Sequence, residues 1–302
     1  MNAREEGFLL LGSTLGNPAR KPLTTAQLRS LAARAAVMER PIEDRELAVS
    51  DLMALGYGSE MAYRILGLLD ETQLLRRYLV RAKQADCVPL TRVSEGYPAQ
   101  LRRCLGLDSP GVLWAKGDLS ILQRPRIALV GSRDIAAPNA EFAARVGCEA
   151  ARQGYVLVSG NARGADRIAQ KACLAAGGQI ISVVADELEK QERRENVLYL
   201  SEEGFDCPFT SIRALSRNRV IHALGEKTFV AQCALGTGGT WSGTTRNLKE
   251  DWSPVFCFRD GSKAAVQLEQ MGAIPIELAG LADIKNLQGS IFDFLERPRK
   301  NQ

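Results

Sequence analysis

Four segments of the sequence combine small residues with groups that bind anions. The first, Gly131-Ser132-Arg133, follows an apolar run, and its arginine could grip a phosphate through two parallel hydrogen bonds. The second runs from Ser159-Gly160 to Arg163-Gly164, and the third contains Thr237-Gly238-Gly239-Thr240. Both precede helical patterns, where free backbone amides and the helix dipole attract anions. The fourth is Arg217-Asn218-Arg219. Together they predict an anion site built from several loops.

Alternative interpretations of these segments stay open at the level of sequence. Asp166 could be a catalytic acid, but a carboxylate that caps the start of a helix is the favoured interpretation. In a continuous helix, Arg217 and Arg219 would point about 200° apart, so only one would face a shared pocket. The glycine loops lack the G-x-G-x-x-G and G-x-x-x-x-G-K-[ST] patterns. NAD, FAD and ATP hydrolysis are therefore disfavoured, and no cofactor is predicted.

The remaining chemistry-bearing residues are few. His222 is the only histidine, and we interpret it as a satisfied helix side chain without a catalytic role. The seven cysteines are scattered without a C-x-x-C pair, which is typical of reduced core residues in a cytosolic protein. Neither a metal site nor a hydrolytic triad is predicted. Trp114, Trp241 and Trp252 could stack on bases, although core or rim positions are favoured.

Length and composition indicate a soluble globular chain of about two domains. The 302 residues are 45% hydrophobic and 25% charged, with a formal net charge of +4. A charge this small means that any nucleic-acid site must be local. The sequence lacks a secretory signal pattern and an apolar run of about 18 residues, so we expect a cytoplasmic protein without membrane contact.

Residues 1–85 are predicted to form an N-terminal helical domain. Apolar residues recur at helical spacing from Thr24 onward, with Thr24, Ser50 and Thr72 as N-cap candidates. Residues 52–62 resemble a helix-hairpin-helix, although a plain helix turn with glycine is the alternative.

Residues 86–296 are predicted to form a Rossmann-like α/β domain, followed by a frayed tail at 297–302. Short apolar runs alternate here with amphipathic segments, which indicates a doubly wound, mainly parallel sheet. Ligands then belong at the carboxyl ends of the strands. The predicted strands are 127–130, 156–159, 180–184, 197–200, 228–233, 254–258 and 274–277. The predicted helices are 139–153, 165–176, 210–224, 240–249 and 263–271.

A set of motifs between about residues 88 and 260 resembles the DprA/Smf family of DNA-processing proteins. In chain order the motifs are Tyr97-Pro98-Ala99-Gln100-Leu101, Pro110-Gly111-Val112-Leu113-Trp114-Ala115-Lys116-Gly117, Gly131-Ser132-Arg133, Ser159-Gly160, Arg163-Gly164-Ala165-Asp166, Ser201-Glu202 and Arg217-Asn218-Arg219-Val220-Ile221. The resemblance implies a Rossmann-like domain, often dimeric, that binds single-stranded DNA and delivers it to the RecA recombinase during natural transformation. By position, it implies a DNA pocket lined by Gly131, Ser132, Arg133, Ser159, Gly160, Arg163, Arg217, Asn218 and Arg219.

The sequence departs from the family pattern at several points. Gln170 replaces a histidine, Leu215-Ser216 replaces a Phe-Pro pair, Gly236-Thr237-Gly238-Gly239-Thr240 replaces a Ser-Gly-Ser loop, and Arg259-Asp260 replaces a Pro-Gly pair. We also expect no C-terminal winged helix after about Ala279. These departures indicate a divergent member.

The leading hypothesis is a non-enzymatic binder of single-stranded DNA that does not read sequence. The alternative is a nucleotide sensor or an enzyme similar to the nucleoside-monophosphate phosphoribohydrolases, because residues 237–240 resemble their phosphate loop. Those enzymes place a glutamate shortly after the loop, whereas residues 241–245 contain no carboxylate.

Overall fold

The first part of the chain is helical. The structure, a computed structural model, describes residues 1–36 and 47–287. Its first helices are α1 (Ala3–Gly12), α2 (Thr25–Ala35), α3 (Val49–Ala54), α4 (Ser59–Asp70) and α5 (Thr72–Gln84). Thr24 caps α2, as predicted. The other two predicted caps are wrong, because Ser50 lies inside α3 and Thr72 is the first residue of α5. No helix among the described residues is long and apolar enough to cross a membrane.

Helices α3 and α4 form the predicted pair within residues 52–62. Gly56, in the turn between them, has a φ of +83°, which favours glycine. Their buried residues, among them Leu52 and Ile65, form a small core that partly buried residues of α1 and α2 border. The geometry therefore fits both a helix-hairpin-helix and a plain helix turn with glycine, and a DNA-binding role stays a prediction.

One sheet contains the nine strands of the described residues. Its strands are β1 (Val88–Thr91), β2 (Val112–Lys116), β3 (Arg126–Val130), β4 (Val156–Ser159), β5 (Ile180–Val184), β6 (Val197–Glu202), β7 (Thr228–Val230), β8 (Val255–Phe258) and β9 (Ile274–Ile276). Their order is β1-β2-β6-β5-β4-β3-β7-β8-β9, antiparallel from β1 to β6 and parallel from β6 to β9. The predicted mainly parallel, doubly wound α/β fold is confirmed.

The seven predicted strands all occur, with one clear error of length. Strand β7 ends at Val230 instead of Cys233, because the chain turns into the loop that borders the site described below. The two antiparallel strands, β1 and β2, were not predicted. Strand β1 contains Pro89 and is an edge strand of four residues, which gives a weak periodic signal.

Helices cover both faces of the sheet. They are α6 (Ala99–Leu105), α7 (Ala137–Arg152), α8 (Ala165–Ala175), α9 (Ser211–Ser216), α10 (Asn218–Leu224), α11 (Gly238–Glu250) and α12 (Lys263–Gln270). The predicted helix 210–224 is in fact two helices that meet at Arg217. Helix α6 was not predicted. Residues of β3 alternate between the two faces: Ile127 and Leu129 join the core under α7 and α8, and Ala128 and Val130 join the core under α10.

The change from helices to strands falls between Gln84 and Val88, near the predicted boundary at 85 and 86. Residues of α1 and α5 nevertheless share a core with the sheet, since Tyr78 of α5 packs against Trp114 of β2 with ring centroids 5.4 Å apart. The division into two domains stays a prediction. The predicted tail 297–302 lies outside the described residues.

A buried polar cluster surrounds His222 of α10. Asn247 donates a hydrogen bond to His222 Nδ1 at 3.2 Å and also contacts Ser253. The His222 Nε2 atom has no hydrogen-bond partner among the described residues, so the prediction of a satisfied side chain is only half right. Burial lowers the pKa of His222 to about 3. The imidazole is therefore neutral at pH 7.

Acidification should destabilise the protein through His222. An unfolded histidine has a pKa near 6.5, so between that pH and about pH 3 the unfolded chain binds more protons than the folded chain. Stability should therefore fall by about 1.4 kcal/mol for each pH unit below 6.5. The variant His222→Gln lacks this group and should lose less stability between pH 7 and pH 5.5, as measured by urea unfolding.

No other histidine can supply a difference near pH 6.5, because His222 is the only one. Identical pH dependence in the wild type and His222→Gln would contradict a neutral, buried imidazole.

Candidate functional site

A crevice opens at the carboxyl ends of β3 and β7. These strands are parallel neighbours, yet the chain runs from β3 to β4 on one side and returns to β7 on the other. Such a reversal of strand order separates the two following loops and creates a ligand site. A cavity of about 470 Å³ lies here. Its lining residues are Val130, Gly131, Ser132, Arg133, Ala162, Asp166, Phe209, Ser211, Ala214, Leu215, Arg217, Asn218, Cys233, Ala234, Thr237, Gly238, Gly239 and Thr240.

Arg217 forms the inner wall of the cavity and is buried. Its Nη2 atom donates a hydrogen bond to the Gly160 carbonyl at 2.9 Å, and the guanidinium lies flat against that glycine. A Cβ atom at Gly160 would lie 1.6 Å from Arg217 Nη1. Gly160 is therefore required because the guanidinium occupies the space of a side chain.

The Asp166 carboxylate organises the loop after β4. Its Oδ2 atom accepts hydrogen bonds from the backbone amides of Gly160 at 3.2 Å and Ala162 at 3.1 Å. The predicted helix cap is thus wrong, because Asp166 lies within the first turn of α8 and reaches back to the loop. Burial raises the pKa of Asp166, and the Arg217 guanidinium and the two amides oppose that rise. A carboxylate that already accepts two hydrogen bonds is poorly placed to be a general acid.

The loop before α11 forms the opposite wall. Thr237 is the N-cap of α11, but its side chain accepts no hydrogen bond from the helix, so the first amides of α11 have no cap partner among the described residues. The Thr240 hydroxyl donates to the Gly131 carbonyl at 3.0 Å, and Asn218 donates to the Gly239 carbonyl at 3.0 Å. These bonds fix the α11 N-terminus beside the loop after β3.

Arg133 supplies an exposed positive charge at the cavity. Its side chain makes no hydrogen bond or salt bridge to any described residue. Asp166, the one carboxylate of the lining, is held by amides. With Arg217 and the α11 N-terminus, Arg133 makes the cavity cationic and suited to phosphate groups.

The structure brings most of the sequence-predicted site residues to this cavity. Those that line it are Gly131, Ser132, Arg133, Arg217, Asn218, Thr237, Gly238, Gly239 and Thr240. Two glycines of the second segment pack loops together instead. Gly160 accommodates Arg217, and Gly164 has a φ of +85° with its Cβ position 2.4 Å from the carbonyl oxygens of Ser132 and Arg133.

Three other predicted residues lie elsewhere. Arg219 points away from the cavity, as helical geometry requires, and its Nη2 atom lies 2.8 Å from a Glu202 carboxylate oxygen. Arg163 forms an exposed salt bridge with Asp134 at 2.6 Å. Ser159 is buried, and its hydroxyl accepts a hydrogen bond from Gln170 at 2.6 Å. Gln170, which stands at a departure from the family pattern, therefore satisfies a buried serine.

Sequence reasoning missed the apolar side of the cavity. Phe209 and Leu215 line it, although both are about half exposed. The available signal in the sequence was Phe209, an aromatic residue directly after a Cys-Pro pair. Cys233 also lines the cavity, and burial raises its pKa to about 11, so its thiol stays protonated. In residues 1–36 and 47–287, no group of three or more His, Cys, Asp or Glu side chains could hold a metal ion.

Sequence comparison identifies relatives of this chain. A sequence model of the family named DNA recombination-mediator protein A matches residues 89–277. Protein Smf of Escherichia coli is 32% identical over 198 aligned positions, in an alignment that covers 60% of this chain and 52% of that protein. DNA processing protein DprA of Bacillus subtilis is 31% identical over 163 residues, 50% of this chain and 54% of that protein. The chain thus spans about half the length of the curated relatives it matches.

Structural comparison gives the same fold. The X-ray structure of DprA from Streptococcus pneumoniae aligns with a TM-score of 0.70 at 24% identity, over 88% of this chain and 94% of that one. A structure of DNA processing protein A from Helicobacter pylori, determined to examine its binding of single-stranded DNA, aligns with a TM-score of 0.55 at 24% identity. It covers 65% of this chain and 94% of that one.

The variant Gly160→Ala should disrupt the cavity. Its new methyl group would displace the Arg217 guanidinium and leave the buried Asp166 carboxylate without its neighbouring charge. Overpacking at this buried contact should cost about 1 to 3 kcal/mol. Urea unfolding measures this loss of stability.

Gly67→Ala is the matched control, since Gly67 lies inside α4 with open space around its Cβ position. This control should gain about 0.5 to 1 kcal/mol, because alanine favours a helix. A Gly160→Ala protein as stable as the wild type would contradict the packing of Arg217 on Gly160.

Proposed function

Because this chain belongs to the DNA recombination-mediator protein A family, also called DprA/Smf, we propose that it binds single-stranded DNA in the cavity between β3 and β7. The observation that carries the proposal is the convergence of Arg133, Arg217 and the free amides of α11 on one cavity. The lining carboxylate, Asp166, is engaged with backbone amides and does not oppose an anion freely. DNA processing protein A from Helicobacter pylori binds single-stranded DNA, which supports this choice of ligand.

The binding mode follows from the groups that line the cavity. Guanidinium groups and backbone amides hold phosphate oxygens and carry no sequence information. Asn218 is the one amide side chain of the lining, and it already donates to the Gly239 carbonyl, so it is not free to read the edge of a base. Binding should therefore depend on the DNA backbone and be independent of sequence.

The wider role is an extension of this proposal. We propose that the chain delivers the bound strand to RecA in recombination or natural transformation and acts as a homodimer. The family's description as a recombination mediator supports delivery to a recombinase. Retention of the protein on immobilised RecA would test the first partner. The mass of the protein from analytical ultracentrifugation would test the homodimer.

A nucleotide sensor or a phosphoribohydrolase is the second candidate. The cavity volume and the amide nest at Thr237–Thr240 favour it, since both suit a single nucleotide. Hydrolysis of a glycosidic bond needs a carboxylate beside the sugar. Asp166, the lining carboxylate, is buried and bound to two amides, so we propose that the protein is not such an enzyme.

Nucleoside monophosphates should therefore release no free base when incubated with the protein. Chromatography of the reaction mixture measures this directly. Base release that an Asp166→Asn variant abolishes would favour the enzyme over the DNA binder.

Arg133→Ala should weaken the binding of a labelled single-stranded oligonucleotide about tenfold, because it removes one charge-assisted phosphate contact. Fluorescence anisotropy at several salt concentrations should give a linear fall of log K against log salt. The slope should decrease in magnitude by about 0.7 in the variant, which corresponds to one phosphate contact on a single strand. Arg217 is unsuited to this test because it is buried and structural.

Arg29→Ala is the matched control, since Arg29 is exposed on α2, makes no hydrogen bond or salt bridge to a described residue and does not line the cavity. Both variants remove one positive charge. Equal effects of the two would show attraction by net charge alone and would contradict a local site.

A further inference from the structure

Helix α5 concentrates positive charge on a chain whose charges are otherwise balanced. It contains Arg76, Arg77, Arg81 and Lys83 and neither aspartate nor glutamate. Four basic and no acidic side chains give the helix a formal charge of +4, which equals the net charge of the whole chain. Without these four, the 39 basic residues of the chain would match its 35 acidic residues one for one. The excess charge that could attract an anionic partner is therefore local to α5.

Three of these cations share the solvent face of the helix. The opposite side of α5 is buried, with Leu75 and Tyr78 in the core that the helix shares with the sheet. At 3.6 residues per turn, Arg76, Arg77 and Lys83 fall within an arc of about 120° away from that core, and all three are exposed. Arg76 and Lys83 lie about 10 Å apart along the helix axis. We call these three residues the α5 basic face.

The cations of the α5 basic face have no partner within the described part of the chain. None of the three makes a hydrogen bond or a salt bridge to a described residue. Arg77 also lies four residues before Arg81, and like charges at this spacing destabilise a helix. An anion that contacts several of these side chains at once would relieve that repulsion.

The carboxylates at the two ends of α5 are paired with arginines from other parts of the chain. Glu71, the residue before the helix, forms a salt bridge with Arg20. Asp86, two residues after the helix, lies 2.7 Å from Arg193 Nη1. These two carboxylates therefore do not neutralise the α5 basic face.

Helix α5 also adjoins the loop that leads to the cavity between β3 and β7. The Tyr78 hydroxyl donates a hydrogen bond to Asp206 at 2.7 Å, and Arg81 Nη2 lies 3.3 Å from the same carboxylate. Asp206 is largely buried and comes three residues before Phe209, which lines the cavity. Three residues of chain span at most about 11 Å. One extended polyanion could therefore contact both the cavity and α5.

We propose that the α5 basic face binds the DNA backbone outside the cavity and so forms a second contact surface for the same strand. The inference rests on the proposed function and adds to it a surface from the N-terminal helices. Exposed, unpaired cations bind phosphates without reading sequence and release counterions as they do so. A strand carries a phosphate at each nucleotide, so it can contact cations spaced along a helix. Its proximity to the cavity favours DNA over the headgroups of a membrane as the occupant.

The length of the oligonucleotide separates the two surfaces. An oligothymidylate of about 20 nucleotides can span both, whereas one of about 4 nucleotides occupies the cavity alone. The double variant Arg76→Ala, Arg77→Ala should bind the long oligomer about tenfold more weakly near physiological salt and keep the wild-type affinity for the short one. The salt slope for the long oligomer should decrease in magnitude by about 1.4, which corresponds to two phosphate contacts. Fluorescence anisotropy measures both quantities.

The double variant Arg103→Ala, Lys263→Ala is the matched control. Both residues are exposed and make no hydrogen bond or salt bridge to a described residue. They lie on α6 and α12, whose buried residues belong to the core on the other face of the sheet. This control removes the same charge from another surface and should bind both oligomers as the wild type does. Urea unfolding should report unchanged stability for both double variants, because alanine favours a helix.

Equal weakening by the two double variants would indicate attraction by net charge and overturn the inference, as would unchanged binding of the long oligomer by Arg76→Ala, Arg77→Ala. An equal loss with the short oligomer would place the effect in the cavity and overturn it too. Failure of the wild type to bind either oligomer would overturn the proposed function as well. Intact DNA binding with lost binding to phosphatidylserine vesicles would identify α5 as a membrane surface and overturn the inference.

Discussion

The contact between the buried Arg217 guanidinium and Gly160 determines the shape of the candidate site. Arg217 stands at the junction where α9 ends and α10 begins. Its hydrogen bond reaches the loop after β4, which Asp166 holds in turn through two amides. A positive charge buried in this way is tolerated because a carboxylate and a carbonyl face it. The inner wall of the cavity is therefore a rigid part of the fold.

Some hydrogen-bond donors of the site already have partners within the protein, whereas others are free to bind a ligand. Arg213 is occupied by carbonyl oxygens and Arg219 by a carboxylate and carbonyls, whereas Arg217 donates one hydrogen bond, to the Gly160 carbonyl, and its buried Nε has no partner among the described residues. Arg133 remains free to bind an anion, as do the first amides of α11. Rigid loops on a fixed scaffold reduce the entropy lost on binding. In our proposal, phosphates bind these free groups.

The sequence predicted the parallel part of the sheet well, because buried strands such as β5 are apolar throughout and are separated by amphipathic helices. The loops of the site were predicted because topology places them at strand ends. The separate directions of Arg217 and Arg219 also followed from helical periodicity. The edge strand β1 was missed because Pro89 and its short length weaken the pattern. The role of Asp166 could not be predicted, because a carboxylate in a first helical turn has the same sequence pattern whether it caps the helix or reaches back to a loop.

A crystal structure of the full chain with a short oligothymidylate would test the central claim most directly. Our account predicts phosphate oxygens within hydrogen-bond distance of the Arg133 guanidinium and of the amides of Gly239 and Thr240. A strand bound on another surface, such as the turn at Gly56 between α3 and α4, with the cavity between β3 and β7 empty of nucleotide, would contradict the account.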